Sequence, residues 1–398
     1  MRNIPSALLL AAVCGGCGTE APVTQPGDPL AKLTTPPRYE LVKLPLTLGG
    51  TQSRGNSINN RDWVAGFSTT ATGERHAVLW RNDSLIDLRT LGGPNSTVPW
   101  PGQNDSGMIV GISQTAETDS LHEAWSCEAG GFLPVSGNVC RGFVWEDGVM
   151  QSLPTLGGTN GFATGVNNRG QVVGWAETPV HDPTCVGDQV LQFRAVLWEP
   201  RSGTKQELPP YPGDSTSAAT AINQRGQVVG ISGDCDQAVG RFSARHAVIW
   251  SQGTVREIPN LGGQTWHTPM DINDRGEVVG FSNPAGPGDP EGEFIARAFL
   301  WTGGGEAEDL GVLPGDVLSE AFGINGRRQV VGVSFGGTVP TRGFLWQDGV
   351  MLDLNDLVDS DDYIISAQDI NDAGRITGRV RDHVTGEVLA FVATPIDH

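Results

Sequence analysis

The stretch Ala219-Thr-Ala-Ile-Asn-Gln-Arg-Gly-Gln-Val-Val-Gly-Ile-Ser232 recurs along the chain, and its recurrence decides the fold. Ile272-Asn-Asp-Arg-Gly-Glu-Val-Val-Gly-Phe-Ser282 and Val166-Asn-Asn-Arg-Gly-Gln-Val-Val-Gly-Trp175 are close copies. Looser ones start at Ile58, Gln103, Ile324 and Ile370, seven in all. Self-similarity of this kind marks a repeat architecture and ranks above any local motif.

Each unit has four parts in one order. A short small-residue stretch (a) ends in Asn59, Asn104, Asn167, Asn223, Asn273, Asn325 or Asn371. A turn leads to an apolar run (b) that contains Gly66, Gly111, Gly174, Gly230, Gly280, Gly332 or Gly378. Part c is His76-Ala-Val-Leu-Trp80 and its relatives ending in Trp145, Trp198, Trp250, Trp301 and Trp346, with a seventh copy at 389–393 that has Ala for Trp. Part d is a polar strand such as Val350-Met-Leu-Asp-Leu354, and Leu-Gly-Gly corners occur at Leu48, Leu91, Leu156 and Leu261. All four parts are short, rich in Val, Ile, Phe and Trp, and bounded by Gly, Asn or Pro, which is how strands read. The a–b turn is Asn-x-x-Gly, where Gly supplies a positive φ. Asp62 and Arg328 replace that Gly in two units, and Arg328 is expected to be strained.

Successive Asn residues lie 45, 63, 56, 50, 52 and 46 apart. Four-stranded units of that length predict an all-β, seven-bladed β-propeller. The repeats open on an orphan strand d, Tyr39-Glu-Leu-Val-Lys-Leu44, and close on an orphan strand c. Joined, they complete one blade, so that an N-terminal strand closes the ring and removes the edges. An open β-solenoid is the alternative and leaves both orphans unpaired.

Composition agrees. Of 398 residues, 55 are Gly and only 18% are charged, and Lys occurs just at Lys32, Lys43 and Lys205. Long helices want Ala, Leu, Glu and Lys instead. A net charge of −19 excludes nucleic acid as a partner, since phosphate binding needs clustered cations. It gives nothing to anionic lipid either.

Residues 1–17 read as a signal segment: Arg2, then Ala7-Leu-Leu-Leu-Ala-Ala-Val13, too short to span a bilayer, then Cys14-Gly-Gly-Cys17. The pattern looks like a bacterial lipoprotein signal with Cys17 as the lipidated residue; Cys14 is the other candidate, and an ordinary secretory signal the other type. Residues 18–37 form a Pro-rich linker and residues 38–398 the repeat domain. The expected location is extracytoplasmic, anchored at an outer membrane or secreted. Cys127, Cys140, Cys185 and Cys235 then face an oxidising compartment. Of three pairings, Cys127–Cys140 and Cys185–Cys235 is the first choice, the latter between equivalent loops of successive repeats. Four free thiols remain the other reading.

These motifs resemble the HAF repeat family of extracellular proteins, named for a His-Ala-Phe stretch seen here as His76-Ala-Val, His246-Ala-Val and Arg297-Ala-Phe299. The resemblance covers residue 38 to the C-terminus. It implies an exported β-rich repeat protein and carries no established reaction. Most units have Arg at the naming position, so the His is not a required ligand.

Candidate chemistry is sparse. Gly332-Val-Ser-Phe-Gly336 matches a serine-hydrolase pattern, but no helix follows, and Ser334 fills the slot of Ser68, Ser113, Ser232 and Ser282. His122-Glu123 lacks the second His of a zinc site, and 359–362 lacks the Gly and Glu of a calcium loop. No metal or cofactor is expected. The six Trp at the end of c are assigned to packing between blades; Trp100, Trp125 and Trp266 break the repeat and are candidates for binding.

In a four-stranded up-and-down blade the b–c loops share one face. Those at 114–140, 176–193, 232–245 and 282–296 are long and consecutive, and acid-rich. Long loops on a rigid scaffold carry binding. The expected site is Glu123, Trp125, Asp182, Asp234, Asp236, Trp266, His267 and Asp289, without catalytic residues. The protein is then a monomeric, non-catalytic binding module for a protein or glycan, with a preference for cationic partners. The alternative is a hydrolase- or lyase-type enzyme at the channel mouth, using His122, His181 and His267; a passive envelope spacer is the third.

Overall fold

The computed structural model describes residues 36–44, 47–123, 132–185, 189–235, 244–286 and 294–396. Cys14, Cys17, Trp125, Cys127, Asp236 and Asp289 lie outside the described residues, as do the signal segment and most of the linker.

The fold is all-β, built from repeated four-stranded antiparallel sheets. Sheet one is Gly49–Ile58, Val64–Thr70, Arg75–Arg81 and Ser84–Arg89. Sheet two is Gly92–Thr97, Ile109–Thr118, Asn138–Glu146 and Val149–Ser152, and sheet three Gly161–Val166, Val172–His181, Leu191–Glu199 and Thr204–Leu208. Sheet four is Thr216–Ile222, Val228–Gly233, His246–Ser251 and Thr254–Ile258, and sheet five Thr268–Ile272, Val278–Ser282, Arg297–Trp301 and Glu308–Gly311. Sheet six is Leu318–Ile324, Val330–Phe335, Arg342–Gln347 and Val350–Asp353, followed by a single helical turn at Leu354–Leu357. The last set is Tyr363–Ile370, Ile376–Arg381 and Val388–Pro395. The two orphan strands find each other: Tyr39–Leu44 pairs antiparallel with Val388–Pro395, from Tyr39 opposite Pro395 to Leu44 opposite Ala390. A lone parallel pair, Gln52 with Val388, joins this set to sheet one.

Burial grades across each sheet. In sheet four every residue of strand a is buried, whereas in sheet three strand d is exposed except for Leu208. Strand a is thus innermost and d outermost, which is why the d strands are polar. The core lies between sheets. Leu79 and Leu88 of sheet one pack with Ile109, Phe143 and Trp145 of sheet two, for example. All six Trp ending strand c are buried, as a packing role requires, and Trp198 and Trp250 donate their indole N–H to the carbonyls of Pro154 and Pro209, in the corners that leave the preceding sheets, at 2.9 and 2.6 Å. Truncating such a side chain to Ala costs about 3–5 kcal/mol.

The Gly of the Val-Val-Gly run has a steric cause. A Cβ on Gly230 would lie 2.1 Å from the carbonyl oxygen of Ala218 on strand a. Beside it the a–b ladder shifts register between Ala219 and Ala221, a β-bulge found at the same place in five other sheets. A bulge re-aims one side chain. Here it sends Thr164 and Thr220 to the carbonyls of Ala219 and Pro269 on the next sheet, at 3.0 and 2.7 Å.

Candidate functional site

At the a–b turns the seven repeat Asn residues do two jobs each. The Oδ1 of Asn223 accepts the backbone N–H of Arg225 and of Gln227, both at 3.0 Å, which shapes its own turn. Its Nδ2 donates to the carbonyl of Asn273 on the next repeat, at 3.0 Å. The same bond runs from Asn59 to Asn104, Asn104 to Asn167, Asn167 to Asn223, Asn273 to Asn325, Asn325 to Asn371, and from Asn371 back to Asn59, at 3.0–3.1 Å. The circuit closes. Asp has no donor, Ser is too short and Gln too long, so the job selects Asn. The turn position expected to need positive φ has it throughout: +76° to +94° at five Gly, +63° at Asp62 and +63° at Arg328. Strain at Arg328 is offset by its guanidinium, which pairs with Glu277.

The serines of strand b are structural pins. Ser68, Ser113, Ser232, Ser282 and Ser334 each accept the backbone N–H of a corner residue, at 2.8–3.3 Å. Ser334 does what its four counterparts do. The His or Arg at the head of the c motif meets an acid in most units: His76 with Asp87, His246 with Asp214, Arg194 with Glu207, Arg297 with Asp309, and Arg342 with Asp316 and Asp353. Either His or Arg serves that pairing, which is why they interchange.

The b–c connections are longest in sheets two to five, where they were expected. They are less loop-like than expected. Strand b runs on to Thr118 in sheet two and to His181 in sheet three, pairing with Asn138 and Leu191, so both ends of 114–140 and of 176–193 are β-ribbon. The ribbons are clasped together. Glu123, buried, accepts the N–H groups of Val190, at 2.9 Å, and of Leu191 on the next connection. Burial, and after it the charge of Glu177, pushes its carboxyl up to about 7. Asp182, also buried, accepts Thr184 Oγ1 at 2.6 Å and Ser215 Oγ at 2.7 Å. Burial pushes its pKa up, but these bonds outweigh that and hold it below the usual value. Thr184 Oγ1 in turn accepts the N–H of Cys235, at 2.9 Å, and a disulfide joins Cys185 to Cys235 as expected. Cys140 is also disulfide-bonded. Asp234 is half-buried beside this staple.

The three histidines differ in setting. His122 and His181 are exposed, whereas His267 is buried with Nε2 donating to the Ile258 carbonyl at 2.8 Å. That bond replaces one made by Ser in other sheets, where Ser96, Ser217 and Ser319 donate to Arg89, Leu208 and Gly311. Burial drives the His267 imidazole down to about 4, so it is neutral at ordinary pH. No cluster of three or more metal-ligating side chains occurs among the described residues. Trp266, half-buried with φ +57°, stands edge-on to Phe294 at 4.8 Å, and Phe294 neighbours Phe281 and Phe335. Sequence reasoning flagged Trp266 because it breaks the repeat; the Phe residues, which keep to it or fall in a loop, gave no signal.

No family model and no curated protein matches the chain. Among solved structures it is similar to a Xanthomonas campestris gluconolactonase (11% identity over 91% of this chain and 95% of that one, TM-score 0.39). It is also similar to an ulvan lyase bound to a GlcA–Rha3S saccharide (10%, 87% and 95%, 0.42) and to the lectin SapL1 with α-methyl fucoside (11%, 76% and 95%, 0.36). At these scores none of them bears on what this chain does. Among the described residues no helix is long and apolar enough to cross a membrane.

Proposed function

We propose that this is a seven-bladed β-propeller of the HAF repeat type, exported and held by a lipid on Cys17, that binds a protein or glycan through the face carrying its long b–c connections. Seven units, a closed hydrogen-bond circuit and an N-terminal strand paired to the last strand support the ring. The disulfide supports an oxidising, extracytoplasmic setting.

The observation that carries the binding role is the clasping of successive long connections by Glu123, Asp182 and Cys185–Cys235. Ordering a chain segment costs about 1–2 kcal/mol per residue, and the described residues of these connections that are already held in place lose little more on binding. Beside it the Trp266 and Phe294 rings offer an apolar face. The test is capture from envelope extract, and on a glycan array, by wild type and by a Trp266→Ala, Cys185→Ser, Cys235→Ser variant with its folding checked by melting. A partner held by wild type and lost by the folded variant supports the reading. No partner for either protein refutes it and moves attention to turnover.

A further inference from the structure

Strand a of sheet one carries Arg54 at the position that holds Thr97, Phe162, Ala218, Thr268, Glu320 and Ser366 in the other sheets, so it is the one cation of the set. Its guanidinium donates to Gln368 Oε1 at 2.6 Å, on the innermost strand of the last set. Gln368 Nε2 donates to Ser366 Oγ at 3.1 Å, and Arg379 Nε to the same oxygen at 3.3 Å. The two cations are thus tied into one polar chain, and the Nε of Arg54 is buried without a partner. Among the described residues neither Arg54 nor Arg379 has a carboxylate within ion-pairing distance. Arg75 lies near both, stacked on Phe67 at 4.3 Å and donating to the Phe132 carbonyl. Glu320 of sheet six faces Arg54. Two unneutralised guanidiniums inside a protein of net charge −19 are a feature that packing alone does not ask for.

Next to them is an aromatic surface. Phe132, whose carbonyl holds Arg75, lies 4.8 Å from the ring of Trp100. Trp100 leans on Phe162 and Trp175 and directs its indole N–H at Met270 Sδ, 3.5 Å away on sheet five. Trp100, Phe132, Arg54 and Arg379 all keep part of their surface accessible. A guanidinium offers a flat pair of donors that matches carboxylate and sulfate oxygens, and an aromatic face packs on the apolar face of a sugar.

We propose that Arg54 and Arg379, with the adjoining Trp100–Phe132 surface, form a binding site inside the ring for a saccharide bearing a carboxylate or sulfate group. The anion accepts from Arg54 and Arg379, and the sugar ring lies against Trp100. Burial raises Glu320 to about 7, so near neutral pH it carries only part of a negative charge, whereas Arg54, lowered to about 9, stays protonated. Phe132 belongs to the long connection of sheet two, so the site borders that face. Arg54 and Arg379 lie on strands outside it, and their anion binding is read independently of any partner held there.

The test titrates the full-length protein with sodium sulfate, glucuronate and glucose at constant ionic strength, followed by calorimetry and tryptophan fluorescence. Saturable binding of sulfate, glucuronate held at least tenfold more tightly and glucose not bound are expected. Arg54→Gln should weaken both anions at least tenfold, and Arg379→Gln serves if melting shows the first variant unfolded. Trp100→Leu should bring glucuronate down to the level of sulfate while sulfate is unchanged. Absence of saturable anion binding, or equal binding by wild type and a folded arginine variant, overturns the site. Sulfate bound as tightly as glucuronate overturns the saccharide. If both arginine variants unfold, the ranking of the three probes by wild type decides.

Discussion

Asn223 shows how much one side chain can carry. It accepts two backbone N–H groups of its own turn and donates to the next repeat. Asn223→Asp keeps the acceptor and removes the donor; the Asn273 carbonyl keeps its bond from the Gly276 N–H but loses the one from the preceding repeat, beside a new charge. We expect a loss of about 1–3 kcal/mol by chemical denaturation, and more for Asn223→Ala. His267 is the second case. It does the work of Ser96, Ser217 and Ser319 with a titratable ring, so His267→Ser should fold with its hydrogen bond intact and His267→Ala should not keep it. Its folded pKa, about 4, lies below the ordinary value of 6.5, so the unfolded chain takes the proton first. Its contribution is therefore whole above pH 6.5 and is lost as pH falls toward 4, by at most roughly 1.4 kcal/mol per pH unit. The stability difference between wild type and His267→Ser should shrink or reverse over that window; a constant difference would show that the ring is not buried neutral.

The four-part unit was legible because period-two strands, turn Gly and corner Gly repeat in step. The β-bulge beside Gly230 was not. Its signature is a small residue in a run of small residues, and only the 2.1 Å approach to the Ala218 oxygen reveals the cause. Gly230→Ala must push the two strands apart, and we expect it to lower the melting temperature far more than Gly253→Ala in the neighbouring c–d turn, where nothing lies within 4 Å and only the positive φ is strained. The long connections were legible in position but not in form. Alternation at Gln114 to Thr118 and Glu177 to His181 is hidden by polar side chains, yet these residues extend the ladder. Acidic residues there read as a binding face for cationic partners, but Glu123 and Asp182 point inward, to the Val190 N–H and the Ser215 hydroxyl, which composition cannot tell. Arg54 likewise gave no motif, because it belongs to one unit only.

At the scale of the molecule, the pairing of Tyr39–Leu44 with Val388–Pro395 holds the two ends of the repeat domain together. Removing residues 36–44 should expose the edge of Val388–Pro395, and a monomer should give way to dimers or aggregates in light scattering. That contact spans nearly the whole chain, so it forms late, whichever sheets fold first.

The backbone N–H of Ile396 donates to the carbonyl of Arg38 at 2.9 Å, so the domain's two ends meet at one point on its rim. The circuit of Asn links has no first member. A short peptide between 396 and 38, with new ends opened in the exposed turn at Gln252 and Gly253, would leave every ladder and all seven Asn links in place. The repeats should then fold from those ends as well, since each sheet depends on its neighbours in space and not on the order in which they are written.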